Sequence, residues 1–389
     1  MKVLILSDVG FKPGGGTETY CRIVRDINVR AGNEVLMVDI SKIDPAPALV
    51  RTFWDRTLEE YLASLINKVK VDIVHANVLN PRCAYILSKL LSKLNVPLVF
   101  TCHTWIVLCP IEWKIKLPHL KPCIDSPSKI SCFKCGISKA KLVNKQLSVY
   151  QITRPLWDAF YTTQAFKKLM QKASAIISPS KALQVELQKF FGAKIFYAPN
   201  PVDYTLLKMK PVFEGDGSVL FIGRLTWEKG VHLLPLLAKL LKDTTIHVVG
   251  HGPLLSWLLK HSPKNVVFHG FLIGAEKIEL MAKASAVIVP SMCYENLPYV
   301  TIEAFSLGKP VVAFDLGGPK ELIEMSRGGI LAKPFDIIDF AEKVNYLLQN
   351  PSEARRRGLK GREFVEKYLN PNTYQKFLFK VYGYAINRT

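Results

Sequence analysis

Long hydrophobic runs and signal patterns are missing from the sequence. Within its 389 residues, no apolar stretch approaches the roughly 20 residues that a membrane-spanning helix needs. The first residues lead directly into the apolar stretch Val3–Leu6 without a secretory pattern, and neither an internal repeat nor a low-complexity segment is visible. We therefore expect a cytoplasmic protein. The hydrophobic share of 49% is typical of a globular chain, and the length predicts two domains.

Acidic residues are scarce. The chain has 32 Asp and Glu residues but 52 Lys and Arg residues, which gives a formal net charge of +20. The excess is concentrated between Lys114 and Lys172, where only Asp125 and Asp158 are acidic. The basic residues there are Lys114, Lys116, Lys121, Lys129, Lys134, Lys139, Lys141, Lys145, Arg154, Lys167, Lys168 and Lys172. Aromatic and apolar residues such as Trp113, Leu117 and Phe166 alternate with them, which favours a surface for anionic lipid headgroups. A solvated basic face is the alternative, and a nucleic-acid binder is suggested by charge alone, without a binding motif.

Apolar strand patterns alternate with helical patterns along the whole chain, as in parallel sheets covered on both faces. The predicted strands are Val3–Ser7, Glu34–Asp39, Val71–His75, Pro97–Thr101, Ala175–Ser178, Ile195–Ala198, Val219–Ile222, Ile246–Val249, Val266–Phe271, Ala286–Val289 and Val311–Phe314. The proline-rich segment Ala198–Asp203 is predicted to be the linker. The sequence thus predicts an α/β protein with domains at 1–200 and 201–371, a Cys/Lys-rich insertion at about 105–155, and a final helix at 372–389.

A glycine loop, Phe11–Glu18, follows the first strand and leads into a helix whose predicted N-cap is Thr17. Its spacing is not G-x-G-x-x-G, so a dinucleotide site is not expected. The loop serves either as a tight turn or as a place where a ligand approaches the backbone of Gly15 and Gly16.

The stretch from Ser291 to Gly318 combines two carboxylates with the start of a helix. Glu295 lies in a loop, Pro298 opens the predicted helix, and Glu303 lies on that helix. The free N–H groups at a helix start are a natural seat for a phosphate. Carboxylates beside such a seat suggest a ligand rich in hydroxyl groups.

The string around these carboxylates comprises Pro290-Ser291, Glu295, Glu303-Ala304, Gly308, Pro310-Val311-Val312 and Gly317-Gly318-Pro319-Lys320-Glu321. It resembles the donor-site signature of the family 4 glycosyltransferases, which have the GT-B fold. The resemblance implies two Rossmann-like, doubly wound domains facing across a cleft, with the final helix crossing back onto the first. It also implies a retaining enzyme that moves a sugar from a nucleoside diphosphate to a hydroxyl, with the acceptor on the first domain and the donor on the second.

Four catalytic residues follow from the resemblance. Arg224 and Lys229, in the pattern G-R-x-x-x-x-K-G, would stabilise the departing diphosphate, a role suited to an arginine fork and a lysine charge. Glu295 would bind sugar hydroxyls. His103 would lie beside the reacting sugar, since it ends a predicted parallel strand, although it could instead only cap that strand.

The same resemblance predicts a set of donor-binding residues: Gly15, Gly16, Gly223, Gly250, Gly252, Phe271, Asn296, Leu297, Pro298, Tyr299 and Glu303. Glu303 would bind ribose hydroxyls, and Phe271 would line the nucleobase unless its segment is ordinary core. No cofactor is expected for catalysis, because the chain has no Asp-x-Asp pair to hold a divalent ion. A sugar-nucleotide epimerase or a phosphorylase of the same fold is the rival prediction.

The expected partners are a nucleoside-diphosphate sugar and an acceptor that is a glycan or a lipid-linked glycan of polyprenyl type. The protein would also bind peripherally to an anionic membrane surface, and nucleic acid is not expected.

Cys109, Cys123, Cys132 and Cys135 form the pattern C-x13-C-x8-C-x2-C. A structural zinc, two disulfides and free thiols remain three alternatives for this group.

Overall fold

The structure is a computed structural model that describes residues 1–12, 14–43, 56–77, 79–91, 93–117, 119–123, 129–143 and 161–388. The chain divides into two compact units. Unit 1 comprises Met1–Pro199 and Tyr374–Thr389, and unit 2 comprises Asn200–Thr373. The expected domain bounds, 200/201 and 371/372, lie close to these.

Unit 1 is built on a six-stranded parallel sheet with the order β2-β1-β3-β4-β7-β8. Its strands are β1 Lys2–Ser7, β2 Glu34–Asp39, β3 Ile73–Ala76, β4 Leu98–Thr101, β7 Ala175–Ser178 and β8 Ile195–Tyr197, and a separate antiparallel pair is formed by β5 Ile115–Lys116 and β6 Lys121–Pro122. Its helices are α1 Gly16–Arg30, α2 Ile40–Ile43, α3 Arg56–Val69, α4 Pro81–Leu91, α5 Lys129–Val143, α6 Thr163–Lys172 and α7 Lys181–Phe191. The central strands are buried along their whole length because helices cover both faces of the sheet.

Unit 2 contains a second six-stranded parallel sheet with the order β11-β10-β9-β12-β13-β14. Its strands are β9 Val219–Ile222, β10 Ile246–Val249, β11 Val266–Gly270, β12 Ala286–Val289, β13 Val311–Phe314 and β14 Gly329–Ala332. Its helices are α8 Tyr204–Lys208, α9 Leu234–Leu240, α10 Leu255–His261, α11 Gly274–Lys283, α12 Tyr299–Ser306, α13 Gly317–Ser326, α14 Ile337–Gln349 and α15 Pro351–Tyr368, and the final helix α16 spans Pro371–Ile386. The core joins β9, β12 and β13 to the buried faces of α12 and α15.

Each sheet reverses its winding direction at one place. In unit 1 this switch point lies between β1 and β3, and in unit 2 it lies between β9 and β12. Ligands of open α/β sheets bind beyond the carboxyl ends of the strands that flank such a point. We therefore expect ligand-binding residues in the segments that follow β1 and β3, and in those that follow β9 and β12.

Two local expectations were wrong or incomplete. Thr17 is not the N-cap of α1, because the N-cap lies two residues earlier, at Gly15, and the helix begins at Gly16. The strand β14 had no counterpart among the predicted strands. Its sequence, Gly329–Ala332, lacks the run of β-branched residues that marks the other strands, and pairing with β13 creates it.

Candidate active site

The predicted catalytic residues of unit 2 lie in the two segments that leave its switch point. Arg224 and Lys229 follow β9, and Glu295 follows β12. The two segments are joined through the backbone, since the amide of Met292 donates to the carbonyl of Glu228 at 2.8 Å. Lys229 and Glu295, which are 66 positions apart in the chain, are thereby brought together.

Lys229 and Glu295 form a largely buried ion pair. The Lys229 Nζ atom lies 2.6 Å from Oε2 of Glu295, and the hydroxyl of Ser291 donates to the other carboxylate oxygen. Burial opposes the charge of the lysine, but the Glu295 carboxylate outweighs it, so the pKa of Lys229 is raised above its ordinary value. The ammonium is therefore charged at neutral pH. Ser291 is a site residue that the sequence motif contained but to which it gave no role.

Arg224 is the more accessible cation of this site. Its side chain is exposed, and within the described ranges it forms no ion pair. It lies near enough to Lys229 to lower that lysine's pKa slightly against the larger effects of burial and Glu295. An exposed guanidinium beside a charged ammonium can bind two oxygens of an anionic ligand.

The glycines beside β9 accommodate neighbouring backbone. A Cβ atom on Gly250 (φ +144°) would lie 1.9 Å from the carbonyl oxygen of Gly223, and one on Gly252 would lie 2.5 Å from that of Leu225. Gly230 has a φ of +71°, and its Cβ would lie 1.8 Å from the carbonyl oxygen of Pro290. These positions require glycine because protein backbone passes there, whether or not a ligand also approaches Gly223, Gly250 and Gly252.

The loop that carries Glu295 is fixed from both sides. Gly318 N–H donates to the Glu295 carbonyl at 2.8 Å, and Asn200 Nδ2 donates to the Leu297 carbonyl at 3.0 Å. Pro298 is the N-cap of α12, as expected from its position before the helix. Asn296, Leu297 and Tyr299 have buried side chains. A ligand at this helix start would therefore meet mainly backbone N–H groups.

Glu303 has a lysine partner that sequence reasoning missed. Lys277, in the first turn of α11, donates to Oε1 of Glu303 at 2.8 Å. The predicted base-binding residue Phe271 precedes the same helix, and 57% of its surface is exposed. An exposed aromatic ring at this position is suited to stacking, but its role stays a prediction.

In unit 1, His103 follows β4 and contacts residues from two other elements. Its Nε2 lies 3.2 Å from Oδ1 of Asn77, which follows β3 at the switch point, and its ring packs edge-on against Tyr20 at 4.5 Å between centroids. Amide oxygens only accept, so Nε2 carries the proton and Nδ1 has the free lone pair. Burial, with a smaller effect of His75, lowers the pKa of His103 to about 3. His103 is therefore a neutral hydrogen-bonding group at pH 7.

A buried polar network supports this histidine. The Tyr20 hydroxyl is hydrogen-bonded with Thr101 Oγ1 at 3.0 Å and with the Tyr374 hydroxyl at 2.6 Å. His75 is hydrogen-bonded with Thr101 at 2.7 Å and with the Tyr382 hydroxyl at 2.8 Å. Tyr374 and Tyr382 belong to α16, so the final helix is joined to α1, β3 and β4 through buried hydroxyls.

Gly15 and Gly16 lie at the start of α1, beside a carboxylate. A Cβ on Gly15 would lie 2.3 Å from Oε2 of Glu18. The positive end of the helix dipole favours a negative side chain at this position. Donor binding at Gly15 and Gly16 stays a prediction.

Comparison with known families decides the identity. A family model described as glycosyl transferases group 1 matches residues 205–364, and another, described as Glycosyltransferase Family 4, matches residues 23–206. The chain belongs to the family 4, group 1 glycosyltransferases. This confirms the resemblance carried by the string around Glu295 and Glu303.

Curated relatives of this glycosyltransferase match part of their length. Glycogen synthase of Mycobacterium tuberculosis is 30% identical over 229 residues, which cover 55% of each chain. An α-1,3-N-acetylgalactosaminyltransferase of Campylobacter jejuni, named for an N,N'-diacetylbacillosaminyl-diphospho-undecaprenol, is 27% identical over 174 residues, or 44% of each chain. The chain spans about half the length of the curated relatives it matches.

Solved structures confirm the GT-B fold. Sucrose-phosphate synthase from Thermosynechococcus elongatus aligns over the full length of both chains with a TM-score of 0.73 and 17% identity. The Anabaena protein HepE in complex with UDP-glucose aligns over 98% of both chains with a TM-score of 0.69 and 20% identity. At these identities the likeness concerns the fold.

The eight cysteines of the glycosyltransferase include the four of the predicted zinc site, all within the described residues. All eight are free thiols, and the described residues contain no group of three or more His, Cys, Asp or Glu side chains that could hold a metal ion. Burial, more than the nearby Cys123 and Cys132, raises the pKa of Cys109 to about 11. Cys135 Sγ instead lies 3.8 Å from the Leu117 carbonyl. A structural zinc at these four residues stays a prediction, as do the alternatives of two disulfides and free thiols.

The basic segment of unit 1 is partly internal. Lys139 donates to the Ile111 carbonyl at 3.0 Å and lies over the ring of Trp113, and Lys114 is buried. Trp113, Leu117 and Phe166 are buried as well, so the expectation that they line a surface was wrong. Lys134 and Lys141 of α5 are exposed, whereas Lys145 and Arg154 lie outside the described residues.

None of the helices in the described ranges combines the length and apolar composition needed to cross a membrane.

Proposed function

We propose that this glycosyltransferase transfers a sugar from a nucleoside diphosphate to an acceptor hydroxyl with retention of anomeric configuration. The observation that carries the proposal is the pair Lys229–Glu295 with Arg224 beside it, at the switch point of unit 2. Two cations are available for a diphosphate there, and a carboxylate is available for sugar hydroxyls. The HepE structures with UDP and UDP-glucose support a nucleotide-sugar donor for this fold.

The proposed chemistry assigns one task to each group. The bond between the anomeric carbon and the β-phosphate oxygen breaks, and the acceptor oxygen bonds to that carbon from the same face. The acceptor's hydroxyl proton leaves with the nucleoside diphosphate. Arg224 and Lys229 stabilise the charge that grows on the diphosphate, and Lys229 needs little reorganisation because Glu295 already fixes its position. Backbone N–H groups at the start of α12 add to this stabilisation.

His103 serves the reaction as a neutral group. Because Asn77 accepts its Nε2 proton, the Nδ1 lone pair can accept a hydrogen bond from a sugar hydroxyl. A pKa of about 3 makes proton transfer by this imidazole unfavourable at neutral pH. We assign to His103 the orientation of the sugar rather than acid or base catalysis.

For the acceptor we propose a lipid-linked glycan of polyprenyl type at the cytoplasmic membrane face. The Campylobacter jejuni relative is named for a diphospho-undecaprenol. The exposed lysines Lys134 and Lys141, together with the exposed Ile130, provide basic and apolar groups on α5 for such a surface.

To test the proposal, the enzyme is incubated with a panel of UDP-, GDP-, ADP- and dTDP-sugars. The release of nucleoside diphosphate is measured, and the products are identified by mass spectrometry and NMR. Arg224→Ala and Lys229→Ala should each lose about 2–4 kcal/mol of transition-state stabilisation, or roughly 100- to 1000-fold in turnover. Arg355→Ala, which removes an exposed arginine of the same unit, should leave turnover unchanged.

Other outcomes would contradict the proposal. An inverted anomer in the product would overturn retention. A sugar phosphate or an epimerised sugar nucleotide as the main product would favour the phosphorylase or epimerase alternative. Normal rates in both cation variants would show that the diphosphate binds elsewhere.

A further inference from the structure

The two carboxylates of the donor-site motif are each paired with a lysine from a different segment. Lys229 holds Glu295 at 2.6 Å, and Lys277 holds Glu303 at 2.8 Å. The resemblance gave a role to the first lysine and none to the second. Lys277 lies in the first turn of α11 and Glu303 in the middle of α12, 26 residues later, so tertiary packing brings them together.

This pair differs from an ordinary surface ion pair on the same helix. The side chains of Lys277 and Glu303 are 23% and 13% exposed, whereas those of Lys283 and Glu279 are 62% and 68% exposed. Partial burial makes an unpaired carboxylate costly and a paired one well oriented. The Lys277 ammonium therefore fixes the position of the Glu303 carboxylate.

A carboxylate in a fixed orientation can recognise a vicinal diol. Its two oxygens carry about four lone-pair positions and donate nothing. Lys277 occupies one position on Oε1, which leaves acceptor capacity on both oxygens for two neighbouring hydroxyls. A ribose offers such a pair at its 2' and 3' carbons, and a 2'-deoxyribose does not.

We propose that Lys277 is the positioning residue that makes this site select ribonucleoside diphosphate sugars over 2'-deoxyribonucleoside ones, by holding Glu303 for the ribose diol. The inference rests on the proposed function, since it requires a nucleotide-sugar donor in unit 2. Lys277 acts through Glu303 and does not contact the reacting atoms. Its loss should therefore raise the Michaelis constant for the donor and leave kcat near the wild-type value.

The experiment measures calorimetric binding of UDP, GDP, ADP and dTDP, followed by the 2',3'-dideoxy form of the tightest ribonucleotide. Lys277→Met should weaken that ribonucleotide roughly tenfold, because oriented hydrogen bonds to a charged group are lost, and should leave its dideoxy form within about twofold. The matched control is Lys283→Met, which removes the exposed pair of the same helix and should change neither. Donor kinetics of Lys277→Met give the KM-against-kcat comparison.

Each remaining outcome has a defined meaning. If the wild type binds none of the four nucleotides, the proposed function fails and the inference fails with it. If the wild type binds UDP, GDP or ADP and Lys277→Met binds it equally well, the inference alone is overturned. Equal weakening of the ribonucleotide and its dideoxy form would assign Lys277 to the phosphates or to packing, and tightest binding of dTDP would overturn the proposed selection.

Discussion

At the scale of single residues, Glu295 and Glu303 have the same chemistry but different surroundings. Glu295 accepts from Lys229 and Ser291 beside the predicted leaving group, whereas Glu303 accepts from Lys277 on the neighbouring helix. The first carboxylate is thus coupled to a residue assigned to the transition state. The second is coupled to a residue assigned to donor binding.

Substitution of each glutamate by glutamine should separate these roles. We expect Glu303→Gln mainly to raise the Michaelis constant, because ribose contacts are alike in ground and transition states. Glu295→Gln should mainly lower kcat, since it also removes the charge that holds Lys229. Steady-state kinetics with a donor found in the panel provide the measurement. The opposite pattern would exchange the two roles.

At the scale of elements, the site depends on how closely backbone segments pack. The start of α13 lies directly against the loop that carries Glu295. A Cβ on Gly317 (φ +61°) would lie 2.9 Å from the backbone of Glu295, and one on Gly318 would lie 1.7 Å from the Asn296 carbonyl oxygen. The glycines of the motif therefore set the position of the loop.

Gly318→Ala should accordingly move that loop. We expect kcat/KM to fall by roughly 100-fold, since a displacement of about 1 Å at a reacting centre has effects of this size. Gly383→Ala is the matched control: it lies in α16, its Cβ would meet nothing within 4 Å, and alanine favours a helix. Kinetics and melting curves of both variants give the comparison. Wild-type kinetics in Gly318→Ala would show that the loop position is not critical.

The elements that meet around His75 and His103 make unit 1 sensitive to acid. Burial lowers the pKa of His75 to about 3. It also lowers the pKa of His103 to about 3, whereas the ordinary value for a histidine is 6.5. Between pH 6.5 and about 3 the unfolded chain binds more protons than the folded one. The free energy of unfolding should be greatest above pH 6.5 and fall as the pH decreases through this window.

Each histidine should contribute a slope of up to about 1.4 kcal/mol per pH unit in that window. Asp8, whose pKa burial raises to about 6, acts in the opposite direction between about pH 4 and 6. Urea unfolding of unit 1 at several pH values would measure the slope. It should decrease in His75→Gln and remain in His251→Gln, which changes an exposed histidine. An unchanged slope in His75→Gln would contradict this account.

At the scale of the whole molecule, the net charge of +20 is the property with the widest consequence. Part of the basic segment in unit 1 is used internally, as Lys114 and Lys139 demonstrate. Exposed lysines of the segment remain on α5, at Lys134 and Lys141, and on α6, at Lys167, Lys168 and Lys172. The proposed membrane surface includes Lys134 and Lys141, which share α5 with the exposed Ile130.

Sedimentation with anionic vesicles should test this surface. The double variant Lys134→Glu and Lys141→Glu should bind at least roughly tenfold more weakly, since each basic residue near a membrane contributes about 1 kcal/mol. The control, Lys239→Glu with Lys260→Glu, makes the same charge change at exposed positions of unit 2 and should bind nearly as well as wild type. Binding that is equal on neutral and anionic vesicles would remove the electrostatic argument.

The sequence by itself determined eleven of the twelve strands of the two parallel sheets, the linker and the donor-site motif of this glycosyltransferase, because these depend on local properties. Continuous apolar runs predicted β9, β10, β12 and β13 with their observed bounds, and proline marked the start of α12. The glycines of the donor-site motif could likewise be recognised from the sequence alone.

Only the tertiary structure decided which side chains meet. Lys277 reaches Glu303 across 26 residues, and Tyr20 reaches Tyr374 across 354. It also decided that Lys139 and Trp113 face each other inside unit 1, and that the pairing of β13 with Gly329–Ala332 completes the second sheet. Such contacts depend on strand order and on the packing of distant segments, and neither is recorded in local periodicity or composition.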